Sequence, residues 1–307
     1  MTKKLRCGVI GTGALGRHHV RILAALPEAD LIGIYDLRPE VAAQLAREHG
    51  TTSFGSIDEL ASEVEAVVLA VPTYAHAQIG TKLLARGLHL MVEKPMASSL
   101  EEADQLMAAK QPGKALGVGH VEFYNPAVQA LLGVDAKPRF VEVQRLSPFS
   151  PRSLDVDVIL DLMIHDLQII HAYDPSPIRE IRGTGIEVLS SRVDIANARI
   201  ELESGLVANL TASRVSAESV RKLRVFLENR YFSLDYRKQE IKGFGLRNEG
   251  EQRLIMPEDL KVGRCEPLRA ELEAFLAACR GEDVKYVDGT QGRRALETAL
   301  SVRRAIG

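Results

Sequence analysis

The chain has 307 residues, 46% hydrophobic and 26% charged, a balance that fits an ordered globular protein of about two domains and excludes a disordered one. With 39 Lys and Arg against 41 Asp and Glu, its formal net charge of −2 gives no ground for binding nucleic acid or a membrane surface. Aromatic residues make up 5% with no Trp, which leaves little material for base-stacking platforms or for aromatic shelves that hold sugars.

From the N-terminus, Met1-Thr2-Lys3-Lys4 leads into an apolar run, Leu5 to Ile10, that is broken by Arg6 and Gly8. That run is too short for a signal peptide, and no stretch approaches the length of a membrane span. Cys7, Cys265 and Cys279 form no C-x-x-C pair, so neither a disulfide scaffold nor a cysteine-rich metal site is expected, and the cytoplasm is the expected compartment. Leu5 to Ile10, Leu31 to Tyr35, Val64 to Val71 and Leu88 to Val92 read as strands buried on both faces. Helical stretches alternate with them. Gly16 to Leu26 stops at Pro27, Pro39 to His49 at Gly50, and Ala75 to Ala85 at Gly87, an order that predicts a doubly wound parallel sheet. Beyond about residue 120 the pattern becomes alternating: Arg139 to Leu146, Val193 to Leu202, Leu206 to Thr211, Lys222 to Leu227 and Tyr231 to Tyr236 predict an antiparallel sheet. A helix over Leu154 to Ala172 is expected to cover one face of that sheet, and the other face is a candidate subunit interface. Leu268 to Cys279 and Thr290 to Ile306 are helical again.

Gly11-Thr12-Gly13-Ala14-Leu15-Gly16 follows the first strand and opens the first helix, the placement that a dinucleotide pyrophosphate requires. Asp36 closes the second strand about 20 residues further on, where a carboxylate takes the ribose hydroxyls of NAD. Arg38 is the residue that would favour the 2′-phosphate of NADP, and NAD is the expected cofactor with NADP as the alternative. His18 and His19, one turn into the helix, are read either as reaching the pyrophosphate or as a surface pair. Two further strands end in Val71-Pro72-Thr73 and in Glu93-Lys94-Pro95, at the sheet edge where such folds place ligands. In the second half, Asp157, Asp161, His165 and Gln168 fall on one helical face without Lys, Arg or Glu. Such a face points to a cleft, with Asp161 and Asp166 orienting His165 for proton exchange with a hydroxyl. No third ligand accompanies the pair, so no metal is expected. Lys137, Arg139, Arg145 and Arg152 surround the passage before this face, and Arg214 and Arg221 recur at the end of a later strand; they are read either as forks for a phosphate or as solvated and paired surface residues.

Together these residues resemble the glucose-fructose oxidoreductase, inositol dehydrogenase and MocA family of NAD(P)-dependent oxidoreductases, over nearly the whole chain. The carriers are the glycine motif with Asp36, Glu93-Lys94-Pro95, and Asp161-x-x-x-His165-Asp166. The resemblance implies a Rossmann domain over 1–122 and an α/β domain over 123–307 with a large, mostly antiparallel open sheet that mediates homodimers or homotetramers. It also implies that the terminal helix packs on the first domain and that the cofactor site includes His76. Lys94 would polarise the reacting oxygen, His165 would accept the hydroxyl proton, and Asp161 would orient substrate and base. A subgroup encoded beside lipid A genes is similar in Val118-Gly119-His120-x-Glu122-x-x-Asn125, in Arg145-Leu146-Ser147-Pro148-Phe149 and in Asp155 to Asp166. Val193 to Arg199 and Thr211 to Arg214 carry the same likeness. Members of that subgroup resemble UDP-N-acetylglucosamine 3-dehydrogenases, which implies a UDP-sugar substrate contacted by His120, Glu122, Asn125, Arg145, Arg152, Asp157 and Arg214. The rival readings are a polyol or aldose dehydrogenase, including inositol-type substrates, and a non-enzymatic NAD-sensing regulator. A biliverdin-reductase-like enzyme ranks below these for want of the Asp161 and His165 pair.

Overall fold

A computed structural model describes residues 4–150, 156–249 and 252–307, so Arg152 and the expected helix start at Leu154 and Asp155 lie outside the described residues. The chain divides into two compact units, residues 1–120 with 268–293 and residues 121–267 with 294–307.

In the first unit the expected alternation produces β1 (Leu5–Ile10), α1 (Gly16–Ala25), β2 (Ala29–Tyr35), α2 (Pro39–His49), β3 (Thr52–Ser53), α3 (Ile57–Glu63), β4 (Ala66–Leu69), α4 (His76–Ala85), β5 (His89–Glu93), α5 (Leu100–Ala109) and β6 (Leu116–Gly119). The six strands run in the order β3-β2-β1-β4-β5-β6 with every pair parallel. β4 and β5 are buried at every position, which is why they read as unbroken apolar runs. Because all six strands point the same way, their C-terminal ends share one edge, and the order reverses between β1 and β4. Helix starts differ in kind. Ser56 and Ser99 cap α3 and α5 by accepting the amides of Glu59 and Glu102. α1 has no side-chain cap and no acidic residue in its first turn. α2 begins with Pro39 and ends at Gly50 in the left-handed region.

The second unit contains α6 (Pro126–Leu132), β7 (Phe140–Leu146), α7 (Ile164–Tyr173), and the strands β8 (Ile178–Ile186), β9 (Ile195–Leu202), β10 (Val207–Ser213), β11 (Val220–Leu227), β12 (Arg230–Asp235), β13 (Glu240–Glu249) and β14 (Gln252–Pro257). They form an eight-stranded sheet in the order β14-β13-β12-β11-β7-β10-β9-β8. Every pair is antiparallel except β7 with β10. The burial of β9 alternates along the strand, so one face of the sheet is packed and the other is open. α7 is buried at seven consecutive positions from Ile164 to Ile170. Such a helix has no solvent stripe, so each of its polar side chains must find an internal partner.

Two helices end the chain, α8 (Pro267–Cys279) and α9 (Gly289–Ile306). Leu272, Phe275 and Leu276 of α8 join Val9, Val68 and Met91 in one core. Residues 268–293 therefore count with the first unit, although the sequence reads as a single second domain from residue 123 onward. Among the described residues no helix is long and apolar enough to cross a membrane.

Candidate active site

The C-terminal edge of the six-stranded sheet gathers the expected cofactor residues. Gly11 turns the chain out of β1 at φ +88, and a Cβ there would lie 2.5 Å from the Ala70 carbonyl oxygen, so only glycine fits. A Cβ on Gly16 would collide with the Gly11 carbonyl. Gly13 is different, because a Cβ there would meet nothing within 4 Å. That leaves the position open to an approach from outside the fold, as a pyrophosphate on the uncapped N-terminus of α1 would require. The residues present therefore fit a dinucleotide: the backbone from Gly11 through Thr12, Ala14 and Leu15 to Gly16 would cradle phosphate, and the end of β2 would supply the ribose acid.

That acid, Asp36, is already organised. Its Oδ2 accepts the Thr12 amide at 2.7 Å and the Thr12 hydroxyl at 2.9 Å, and its Oδ1 accepts the Arg38 amide and Nε at 3.0 and 3.1 Å. Burial pushes its pKa up, but the bonds from Arg38 and Thr12 outweigh burial and hold it at about 2. The carboxylate is charged throughout the physiological range, a condition that repels a 2′-phosphate. Arg38 turns toward Asp36 in this structure.

β4 leads into Val71, Pro72 and Thr73, with Thr73–Ala75 forming one 3₁₀ turn ahead of α4. His76 does not present its ring as a ligand of the cofactor. Nδ1 lies 3.0 Å from the Pro95 carbonyl and Nε2 lies 2.9 Å from the Val71 carbonyl, so the ring sits between the β4 exit and the Glu93-Lys94-Pro95 segment and, when neutral, donates to one of the two. Burial lowers its pKa. Lys94 is half-buried beside buried Glu93 and Pro95. His120, at the end of β6, is buried and pushed down to about 3, first by burial and then by the charge of Lys94. It is a neutral imidazole at working pH.

In the second unit, Asp161 and His165 sit at the start of the buried helix. Ile159–Met163 is a π-helical turn that runs into α7, so the expected regular helix is wider there and the polar face shifts. Asp161 is half-buried and His165 is 8% exposed. Asp157, expected at the substrate, instead ends the chain's approach to this turn: its Oδ1 accepts the amides of Ile159 and Leu160, both at 3.0 Å. Asn125 likewise caps α6 through the Ala127 amide and donates to the Tyr236 carbonyl at 2.9 Å.

Asp166 does not flank the imidazole as expected. It forms a two-point pair with Arg145, at 2.7 Å to Nε and 2.8 Å to Nη2, and accepts the Tyr236 hydroxyl at 2.9 Å. Arg145 also donates to Glu122 at 2.8 Å and lies over the Tyr236 ring at 4.8 Å. Burial works against its charge, but Asp166 and Glu122 raise its pKa well above the usual arginine value. Arg145 and Glu122 are therefore committed to each other inside the fold rather than to a substrate phosphate. Arg214 is committed similarly. It donates to Asp194 at 2.8 Å and to the Val156 carbonyl at 3.0 Å, while Asp194 accepts the amides of Val188, Leu189 and Ser190. Arg221, on the strand beside Arg145, keeps 43% of its side chain exposed at 3.5 Å from Glu122. Among the described residues, no group of three or more His, Cys, Asp or Glu is placed to hold a metal ion.

The sequence reading placed His19 at the pyrophosphate or on the surface, and it passed over Glu271. His19 points inward, 2.7 Å from Glu93, rather than toward a pyrophosphate. Glu271 had a readable signal, since it stands on the apolar stripe of Leu268, Leu272, Phe275 and Leu276.

Comparison with known proteins agrees with this geometry. A family model described as an oxidoreductase family with an NAD-binding Rossmann fold matches residues 5–120. The UDP-N-acetylglucosamine 3-dehydrogenase of Acidithiobacillus ferrooxidans is 37% identical over 98% of this chain and 97% of that protein. Its solved structure superposes with a TM-score of 0.92 over 99% of this chain and 98% of the other. The scyllo-inositol 2-dehydrogenase (NAD(+)) of Bacillus subtilis is 29% identical over 98% of this chain and 94% of that protein. A levoglucosan dehydrogenase solved with NADH and levoglucosan shares the fold, with a TM-score of 0.88 at 17% identity, over 99% of this chain and 97% of that one.

Proposed function

Because the chain belongs to the glucose-fructose oxidoreductase, inositol dehydrogenase and MocA family of NAD-binding oxidoreductases, we propose that it oxidises the 3-hydroxyl of UDP-N-acetylglucosamine to a ketone. The observation that carries this reading is the 37% identity that extends across both units to a dehydrogenase of that substrate. NAD supplies the hydride acceptor. The chain's own residues divide the remaining work. Lys94 polarises the reacting oxygen and contacts the nicotinamide ribose. His165 takes the hydroxyl proton through a ring held in a largely buried position, and Asp161 orients ring and substrate. Asp36 selects NAD through its permanent charge.

Cofactor binding is assigned to residues 1–122 and substrate binding to the remainder of the chain, with α8 returned to the cofactor unit. Arg221 keeps exposed side chain for a diphosphate, whereas Arg145 and Arg214 are held in buried ion pairs. The open face of the eight-stranded sheet carries a cross-strand aromatic row, Phe140, Phe226, Tyr231 and Phe244, with ring centroids 5.6 to 5.8 Å apart. It is the surface through which the chain forms a homodimer or homotetramer. A cytoplasmic enzyme feeding a 3-keto sugar to transamination for lipid A fits this reading.

The alternative is a polyol or aldose dehydrogenase, favoured by the full-length likeness to the inositol enzyme. NADH formation at 340 nm across UDP-sugars, aldoses and polyols, with an aminotransferase to draw off the ketone, separates the two. Turnover with UDP-N-acetylglucosamine is expected. Turnover confined to free sugars or polyols would establish the alternative, and cofactor binding without turnover on any of them would favour a sensor.

A further inference from the structure

Behind Lys94 lies a group of buried titratable side chains with no part in the reaction as described so far. His19 on α1, Glu93 at the end of β5 and Glu271 on α8 have exposures of 0%, 7% and 0%. The two oxygens of Glu93 have separate tasks: Oε1 lies 2.7 Å from His19 Nε2, and Oε2 accepts the Lys94 amide at 3.2 Å. Burial pushes Glu93 up, but the hydrogen bond from His19 and the charge of Lys94 outweigh it, so the net shift is downward and the group is a carboxylate. A carboxylate can only accept, which makes His19 Nε2 the donor. Gly119 leaves room for the same carboxylate, since a Cβ there would come within 2.8 Å of Oε2.

The remaining groups around this pair leave it undisturbed. Glu271 has no hydrogen-bond partner for either oxygen among the described residues, and burial followed by the charge of Glu93 raises its pKa well above the usual range. It remains a neutral acid and does not compete for the His19 proton. His120 is neutral, and the His76 ring lies between the Pro95 and Val71 carbonyls, at 3.0 and 2.9 Å. The backbone at Lys94 is thus anchored through its amide by Glu93.

We propose that His19 is a positioning residue for the reaction: its bond to Glu93 fixes the carboxylate that holds the Lys94 amide, and thereby fixes where the Lys94 ammonium points. This rests on the reading of Lys94 as the group that polarises the reacting oxygen. A misplacement of about 1 Å at such a group costs roughly 100-fold in rate.

The test compares His19→Met, which removes the donor, with His19→Gln, which restores an N–H, on whichever sugar the wild-type enzyme oxidises fastest. Lys94→Met is measured alongside. His19→Met is expected to lower kcat by about 10- to 100-fold. KM for the sugar and NADH affinity by fluorescence titration should stay near wild type. His19→Gln should recover most of the loss. The proposal is overturned by wild-type kcat in His19→Met, by a Gln variant no better than the Met variant, or by a loss that appears only in KM, NADH affinity or thermal midpoint. Should His19→Met fail to fold, a double-mutant cycle of His19→Ala, which removes the donor, with Glu93→Gln decides: non-additive effects on kcat support the proposal, and additive effects overturn it. An active Lys94→Met enzyme would overturn the underlying reading itself. An inactive Lys94→Met beside a fully active His19→Met would overturn this inference alone.

Discussion

The two units reach a defined site by different means. In the first, parallel strands deliver their C-terminal ends to one edge, and the proposed cofactor cradle is largely backbone: three glycines, an uncapped helix start and one acid. In the second, a helix buried on all sides carries its polar residues into the interior, where Arg145, Asp166, Glu122 and Tyr236 satisfy one another. The first unit is organised by topology and the second by charge pairing. Substitutions should therefore fail differently in the two.

The largest effect is expected at the reaction itself. Lys94→Met should lower kcat by roughly 10²- to 10⁴-fold with NADH binding nearly unchanged, as measured by stopped-flow turnover and fluorescence titration. Next comes the buried ion cluster. Arg145→Leu leaves Asp166 and Glu122 as uncompensated buried charges and should cost about 3–5 kcal/mol in denaturant unfolding. If stability were kept, the second unit would not depend on that cluster.

The glycines sharpen the contrast from the other side. Gly13→Ala places its Cβ where the fold offers no contact, so thermal stability should match wild type while NAD affinity falls about tenfold, or about 1.4 kcal/mol. Gly11→Ala, at φ +88 against the Ala70 carbonyl, should instead lose stability. Equal stability losses in both would mean that the Gly13 site is closed by the fold rather than left for a ligand.

The smallest effect concerns Glu271. Burial and the charge of Glu93 raise its folded-state pKa above the unfolded value of about 4.3, so the folded chain holds the extra proton. Its contribution is complete below pH 4 and is lost as pH rises toward the folded pKa. Glu271→Gln removes that penalty. Its thermal midpoint should match wild type near pH 4 and exceed it at pH 8. A gap that narrowed with rising pH would mean that Glu271 is ionised in the fold.

The same contrast explains what the sequence made legible. β1 and α2 were readable to the residue because short-range signals define them: an apolar run ending at Gly11, and Pro39 and Gly50 at the two ends of a helix. The glycine motif and Asp36 follow from local spacing. The parallel pairing of β7 with β10 was not visible, because it joins strands more than 60 residues apart. Nor were the partners of Arg145 and Arg214, whose residue type suits phosphate as well as carboxylate. The π-turn before α7 leaves no periodic mark in five residues, so Asp157 looked like part of a cleft rather than the cap it is. His19 follows the glycine motif so closely that a ligand role seemed natural, and only the fold shows it facing Glu93.

The central claim is that hydride leaves C3 of a UDP-linked sugar for NAD. UDP-N-acetylglucosamine carrying deuterium at C3 tests it directly, with the NADH product examined by mass spectrometry and proton NMR. The account predicts NADH one mass unit heavier, with the label at nicotinamide C4, and no label transfer by Lys94→Met. Unlabelled NADH, or no reduction of NAD by this sugar while another substrate is oxidised, would contradict it.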